Sequence, residues 1–165
     1  MRKTLPLAAF TALIPLGVWA QSTCHQPTAA EYKVTALTEL HSGVEEAPTG
    51  SWGPVGMAIA PDGSIYVAKM KTGEIVVLKP GASNTTVVGK ISTWFSTEDG
   101  LLGIALDPKF ATNHWLYALY SDPCGLNCAN RAEELARFNV ADGTLASKKV
   151  IMRYPRAKND DHHGA

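Results

Sequence analysis

The chain has 165 residues, fifteen of them basic and fifteen acidic, so its formal net charge is zero. Nothing in that balance points to a nucleic acid or an anionic membrane as a partner. Fourteen glycines and ten prolines with sparse charge suit a turn-rich β protein.

Residues 1–20 read as a signal peptide. Arg2 and Lys3 form a positive start, Leu5 to Trp19 an apolar core, and Val18-Trp19-Ala20 a place for cleavage. The apolar run holds Pro6 and Pro15 and is too short to cross a bilayer comfortably, and no second apolar span follows. The mature protein is therefore expected to be secreted or periplasmic, with no membrane span. Residues 21–50 form a polar segment that includes a first strand over Tyr32 to Leu40 and a loop from Ser42 to Trp52.

From there the chain repeats itself. Gly56-Met57-Ala58-Ile59-Ala60-Pro61 and Gly103-Ile104-Ala105-Leu106-Asp107-Pro108 place glycine on glycine and proline on proline at an offset of 47 residues. Past the turn, Ile65-Tyr66-Val67 matches Leu116-Tyr117-Ala118 with four residues inserted around Lys109 to Thr112. A period in the forties with about four short strands per unit is the mark of a β-propeller blade. Blade one is predicted as strands near 55–60, 64–69, 74–79 and 85–91. Its turns fall at Asp62-Gly63, Lys71-Thr72-Gly73 and Lys79-Pro80-Gly81. Blade two is predicted near 101–106, 115–121, 134–140 and 148–154. Ala132 to Arg137 has helical propensity, but the repeat demands a strand there. Two blades and the start of a third fill residues 51–165. A closed propeller needs at least four, so the expectation is a truncated chain with all-β architecture.

Cys24, Cys124 and Cys128 are the three cysteines. An exported protein can keep disulfides, and a local Cys124–Cys128 bridge would pin the loop after the second strand of blade two. Pairing with cysteines beyond residue 165 is the alternative. Two cysteines without a nearby histidine do not make a zinc set, so no metal ligand is assigned. Asn84-Thr85-Thr86 is a glycosylation sequon that has meaning only in a eukaryotic source.

The repeat also singles out a candidate site. Glu98-Asp99-Gly100 leads into the inner strand of blade two, Ser51-Trp52-Gly53 holds that place in blade one, and His162-His163-Gly164 holds it for a third blade. Inner strands of a propeller line its channel, so the loops leading into them gather on one face. Glu98 and His162 would then meet at one funnel, a carboxylate and an imidazole fit for general acid–base chemistry. Two solvated loop residues are the plainer alternative.

Glu98-Asp99-Gly100-Leu101-Leu102-Gly103-Ile104-Ala105-Leu106-Asp107-Pro108-Lys109-Phe110, with Asn113-His114-Trp115-Leu116-Tyr117 and the final His162-His163-Gly164, resembles the glucose/sorbosone dehydrogenase family. The resemblance covers roughly residues 50 to 165. It implies a six-bladed propeller and an exported quinoprotein that oxidises a sugar hydroxyl. It places the general base on His162, the acidic residue before it on Asp161, and a sugar contact on Glu98. It implies pyrroloquinoline quinone (PQQ) and calcium as cofactors, held mostly by later blades, so residues 1–165 alone are expected to be inactive. Ala165 departs from the family, which usually has glycine there. A non-catalytic propeller binding carbohydrate or protein, or a lactonase-like propeller, is the alternative function. The electron acceptor and the identity of the sugar are left open.

Overall fold

Each repeat unit forms a four-stranded antiparallel meander in which every strand pairs with the next. The structure is a computed structural model that describes residues 35, 37, 54–96, 98–124 and 128–156. The signal peptide expected over 1–20, nearly all of the strand expected over 32–40, and Asp161 and His162 lie outside the described residues.

The first sheet holds β1 (Pro54–Ile59), β2 (Ile65–Lys69), β3 (Glu74–Leu78) and β4 (Thr86–Lys90). The second holds β5 (Leu101–Leu106), β6 (Trp115–Ser121), β7 (Ala132–Asn139) and β8 (Ala146–Pro155). Every predicted strand of the two blades is present to within two residues at each end. The segment 132–137, helical by propensity, is strand β7, because pairing with β6 along its whole length outweighs a weak local preference.

The sequence offset is also a structural one. The β1–β2 register breaks between Pro54 and Gly56, and the β5–β6 register breaks between Leu101 and Gly103, the same places one repeat later. Gly56 pairs with Ala68, while Gly103 pairs with Leu119, which is the four-residue insertion seen as register.

That insertion is more than a tight connection. It makes one helical turn, α1 (Phe110–Asn113), closed by His114 in the left-handed region at φ 53°. Asp107 organises the turn: its carboxylate accepts from Lys109 N–H (2.9 Å), Asn113 Nδ2 (2.8 Å) and Tyr117 Oη (2.8 Å). The hydrogen bond from Asn113, then those from Lys109 and Tyr117, hold the Asp107 carboxyl below its ordinary range. Phe110 is thereby carried into the core, edge-on to Tyr66 of the first sheet with ring centroids 5.6 Å apart.

The two sheets share one apolar core. Tyr66, Ala68, Ile75, Val77 and Val88 of the first pack with Leu101, Phe110, Leu116, Ala118, Tyr120 and Phe138 of the second. Close approach at the inner strands depends on a missing side chain: a Cβ on Gly56 would sit 3.2 Å from Gly103 Cα and 3.2 Å from Ile104 N. The glycine that marks the repeat in sequence is thus the contact point between the repeats. At the outer side, Leu145 N–H donates to Val88 O (2.9 Å).

Candidate functional site

The loop leading into β5 is fixed by backbone bonds on both sides. Asp99 N–H donates to Ser96 O (2.6 Å), Leu101 N–H to Met70 O (3.0 Å) and Ser121 N–H to Gly100 O (2.9 Å). Gly100 N–H donates to the Ser121 hydroxyl (3.3 Å). Gly100 adopts φ +137°, and a Cβ there would strike the carbonyl oxygen of Met70. Only glycine allows the loop to turn this tightly against the first sheet.

Glu98 stands at the start of this loop, half-buried. Its neighbour Asp99 has no exposed surface. The Asp99 carboxylate is divided between two guanidinium groups. Oδ2 accepts from Arg131 Nη2 at 3.0 Å, and Oδ1 accepts from Arg156 Nη1 at 2.6 Å. Arg131 immediately precedes β7 and Arg156 immediately follows β8. Arg156 N–H also donates to Arg131 O (2.9 Å), and its Nε lies 3.9 Å from the Glu133 carboxylate. One buried carboxylate therefore joins the loop that carries Glu98 to both ends of the outer hairpin.

A second polar group lies beside the first. Arg153 Nη2 donates to Asp122 Oδ2, and Arg153 Nε to Glu134 Oε1 (3.4 Å). Glu134 Oε2 also accepts from Tyr120 Oη (2.6 Å) and Lys148 Nζ (2.9 Å). Burial works to raise the Glu134 carboxyl, but the bonds from Tyr120, Lys148 and Arg153 hold it below its ordinary value. Burial, and then the Glu134 carboxylate, push the Tyr120 phenol far upward. Asp122 Oδ1 accepts from Cys124 N–H (3.3 Å). Cys124 and Cys128 have Cα atoms 5.6 Å apart, a separation that a disulfide spans.

Of the residues marked in sequence, Glu98 is at the mouth of β5 as the repeat requires. The meeting of Glu98 with Asp161 and His162 involves residues outside the described part. Asp99, Arg131 and Arg156 are not marked by the repeat. The partners of Asp99 stand 32 and 57 residues away in the chain. The available signal is an acid inside a glycine-terminated loop with arginines just outside two later strands.

The sequence profile of the glucose / sorbosone dehydrogenase family matches residues 52–165. The chain belongs to this family. An uncharacterized protein of Synechocystis sp. is 28% identical, over 97% of this chain and 42% of the relative. Among solved structures, a protein described as an oxidoreductase (glucose dehydrogenase) from Thermus thermophilus superposes with a TM-score of 0.58 at 24% identity. That match covers 68% of this chain and 32% of the other. The soluble aldose sugar dehydrogenase of Escherichia coli, in its apo form, gives 0.54 at 19% identity over 61% and 29%. The PQQ-bound aldose sugar dehydrogenase of Streptomyces coelicolor gives 0.50 at 24% over 61% and 30%. These likenesses are of fold: the two sheets are blades of a β-propeller. The chain spans under half the length of the curated relative and about a third of the solved structures.

The described residues do not assemble a site for the cofactors the family suggests. Among them, no group of three His, Cys, Asp or Glu side chains could hold a metal ion. The cations suited to a quinone tricarboxylate are committed to protein acids: Arg131 and Arg156 to Asp99, and Arg153 and Lys148 to Glu134.

Proposed function

We propose that the complete gene product is an exported quinoprotein that oxidises a sugar hydroxyl, with PQQ and calcium bound by parts of the protein other than the residues described here. The observation that carries this is the family match over residues 52–165, the segment that contains the Glu98 loop and both blades. Residues 1–20 serve as the signal peptide and are removed on export to the periplasm or medium. Cys124 and Cys128 form a disulfide that steadies the loop after β6, consistent with an oxidising compartment.

In this reading Glu98, at the funnel face, accepts hydrogen bonds from sugar hydroxyls. His162 takes the proton of the hydroxyl being oxidised, with Asp161 beside it in sequence as an acidic neighbour. Imidazole has an ordinary pKa near ~6.5, so a neutral base is available at neutral pH. Oxidation also removes a hydride from carbon, and its acceptor is the redox cofactor, not a side chain of this chain.

The test is the complete gene product, loaded with PQQ and calcium, offered a panel of aldoses with a dye acceptor. Dye reduction that depends on sugar and quinone is expected. His162→Ala should lower kcat by about 10²- to 10⁴-fold while circular dichroism stays unchanged. Absence of sugar-dependent reduction across the panel, in a folded and quinone-loaded protein, contradicts the proposal.

A further inference from the structure

We propose that Asp99 is a positioning residue which, through Arg156, sets the distance between the Glu98 loop and the segment carrying His162. The proposal rests on the functional reading above, in which Glu98 and His162 act on one sugar.

Asp99 is wholly buried and adjoins Glu98 in the chain. Arg156, gripped by Asp99 at 2.6 Å, is six residues before His162. A span of six residues reaches at most roughly 20 Å, so holding Arg156 confines where His162 can go. Arg131 completes the clamp by binding the other Asp99 oxygen at 3.0 Å and accepting the Arg156 N–H on its carbonyl. Both of the loops that the repeat sends to the funnel are thus tied to a single carboxylate.

Stability does not explain the choice of residues. A buried ion pair costs so much desolvation that apolar residues of similar volume often do as well or better. A carboxylate shared by two planar guanidinium forks does fix direction and distance on both sides. Registry is what such a group supplies, and registry between a base and its substrate is where a small misplacement costs most.

The experiment uses the complete gene product, wild type and with Asp99→Asn, Arg156→Gln and Arg156→Lys. Hydrogen exchange is followed by mass spectrometry, together with steady-state kinetics. Asp99→Asn and Arg156→Gln should speed exchange in the peptide covering 157–162 and leave the peptide covering 65–78 of the first sheet unchanged. Both should lower kcat by about tenfold to a hundredfold, the loss that misplacement of about 1 Å brings. Arg156→Lys, which keeps the charge but loses the fork, should fall between them and the wild type. In a His162→Ala background, Asp99→Asn should change the residual kcat by no more than about twofold, because no base is left to misplace.

Unchanged exchange at 157–162 in a folded variant overturns the proposal, and so does a kcat within about twofold of wild type despite a lowered melting temperature. If Asp99→Asn does not fold, the two Arg156 variants decide by the same criteria. A wild type that oxidises no sugar removes the functional reading, and the exchange of 157–162 still decides whether the clamp exists.

Discussion

In the first sheet, a Lys69–Glu74 ion pair at 2.9 Å bridges neighbouring strands at a partly exposed edge, and apolar residues fill the interior. In the second, Asp99, Arg131 and Arg156 form ion pairs with side chains from 0% to 8% exposed, and Glu134 gathers Tyr120, Lys148 and Arg153. Topology, register breaks and the position of the marking glycine are the same in both. The difference shows that the blade fold itself needs little charge. Charge is concentrated in the blade whose leading loop carries Glu98.

The largest expected effect sets the two kinds of ion pair against each other. Asp99→Ala leaves two guanidinium groups buried without their carboxylate and should destabilise the protein by about 3–5 kcal/mol. Chemical denaturation of the complete gene product measures it. A loss below about 1 kcal/mol would falsify the view that this pair is buried in earnest.

Next comes the core that the sheets share. Leu101 has no exposed surface, and Leu101→Ala should cost about 2–5 kcal/mol. Because residues of both sheets touch one cluster, tryptophan fluorescence and exchange of the 65–78 peptide should report loss together. Separate transitions for the two sheets would show that the blades are independent.

Gly56 tests the contact between the repeats. Its missing Cβ would press on backbone, which cannot rotate away as a side chain can. Gly56→Val should cost about 1–3 kcal/mol by overpacking, read from the denaturation midpoint. The same change at Gly103, where an added Cβ meets nothing within 4 Å, should cost less.

The smallest effects belong to the exposed pair and to acid. Glu74→Ala should cost about 0.2–1 kcal/mol, as partly exposed pairs do. The hydrogen bond from Lys69 holds the Glu74 carboxyl below 4.5, and the partners of Glu134 do the same there. Carboxyls lowered in the fold bind fewer protons folded than unfolded. Their contribution is therefore complete above about pH 4.5 and lost as the pH falls toward the folded values. Thermal unfolding scanned from pH 7 to 3 should show the midpoint falling below that point, less steeply in a Glu74→Gln, Glu134→Gln double variant.

Much of this architecture was legible from residue order. Asp62-Gly63, Lys71-Thr72-Gly73 and the 47-residue offset fixed the strands and even the four-residue insertion. The helical turn Phe110–Asn113 was not foreseen, because four residues after a proline carry no periodicity to read. Asp99 was passed over for a similar reason. Its meaning lies in Arg131 and Arg156, which no local pattern connects to it. Glu98 was found because the repeat gave its place, and the same rule placed Gly56 against Gly103.

The claim that joins fold to function is that the loop leading into β5 faces the sugar. Glu98→Gln in the complete, cofactor-loaded gene product tests it, with KM and kcat measured separately for the preferred aldose. An amide still accepts hydrogen bonds. Loss of substrate binding alone predicts a KM raised several-fold, with kcat within about tenfold of wild type. A kcat lowered more than about a hundredfold at unchanged KM would place Glu98 in the transition state instead, and no change in either would mean that the loop does not meet the substrate at all.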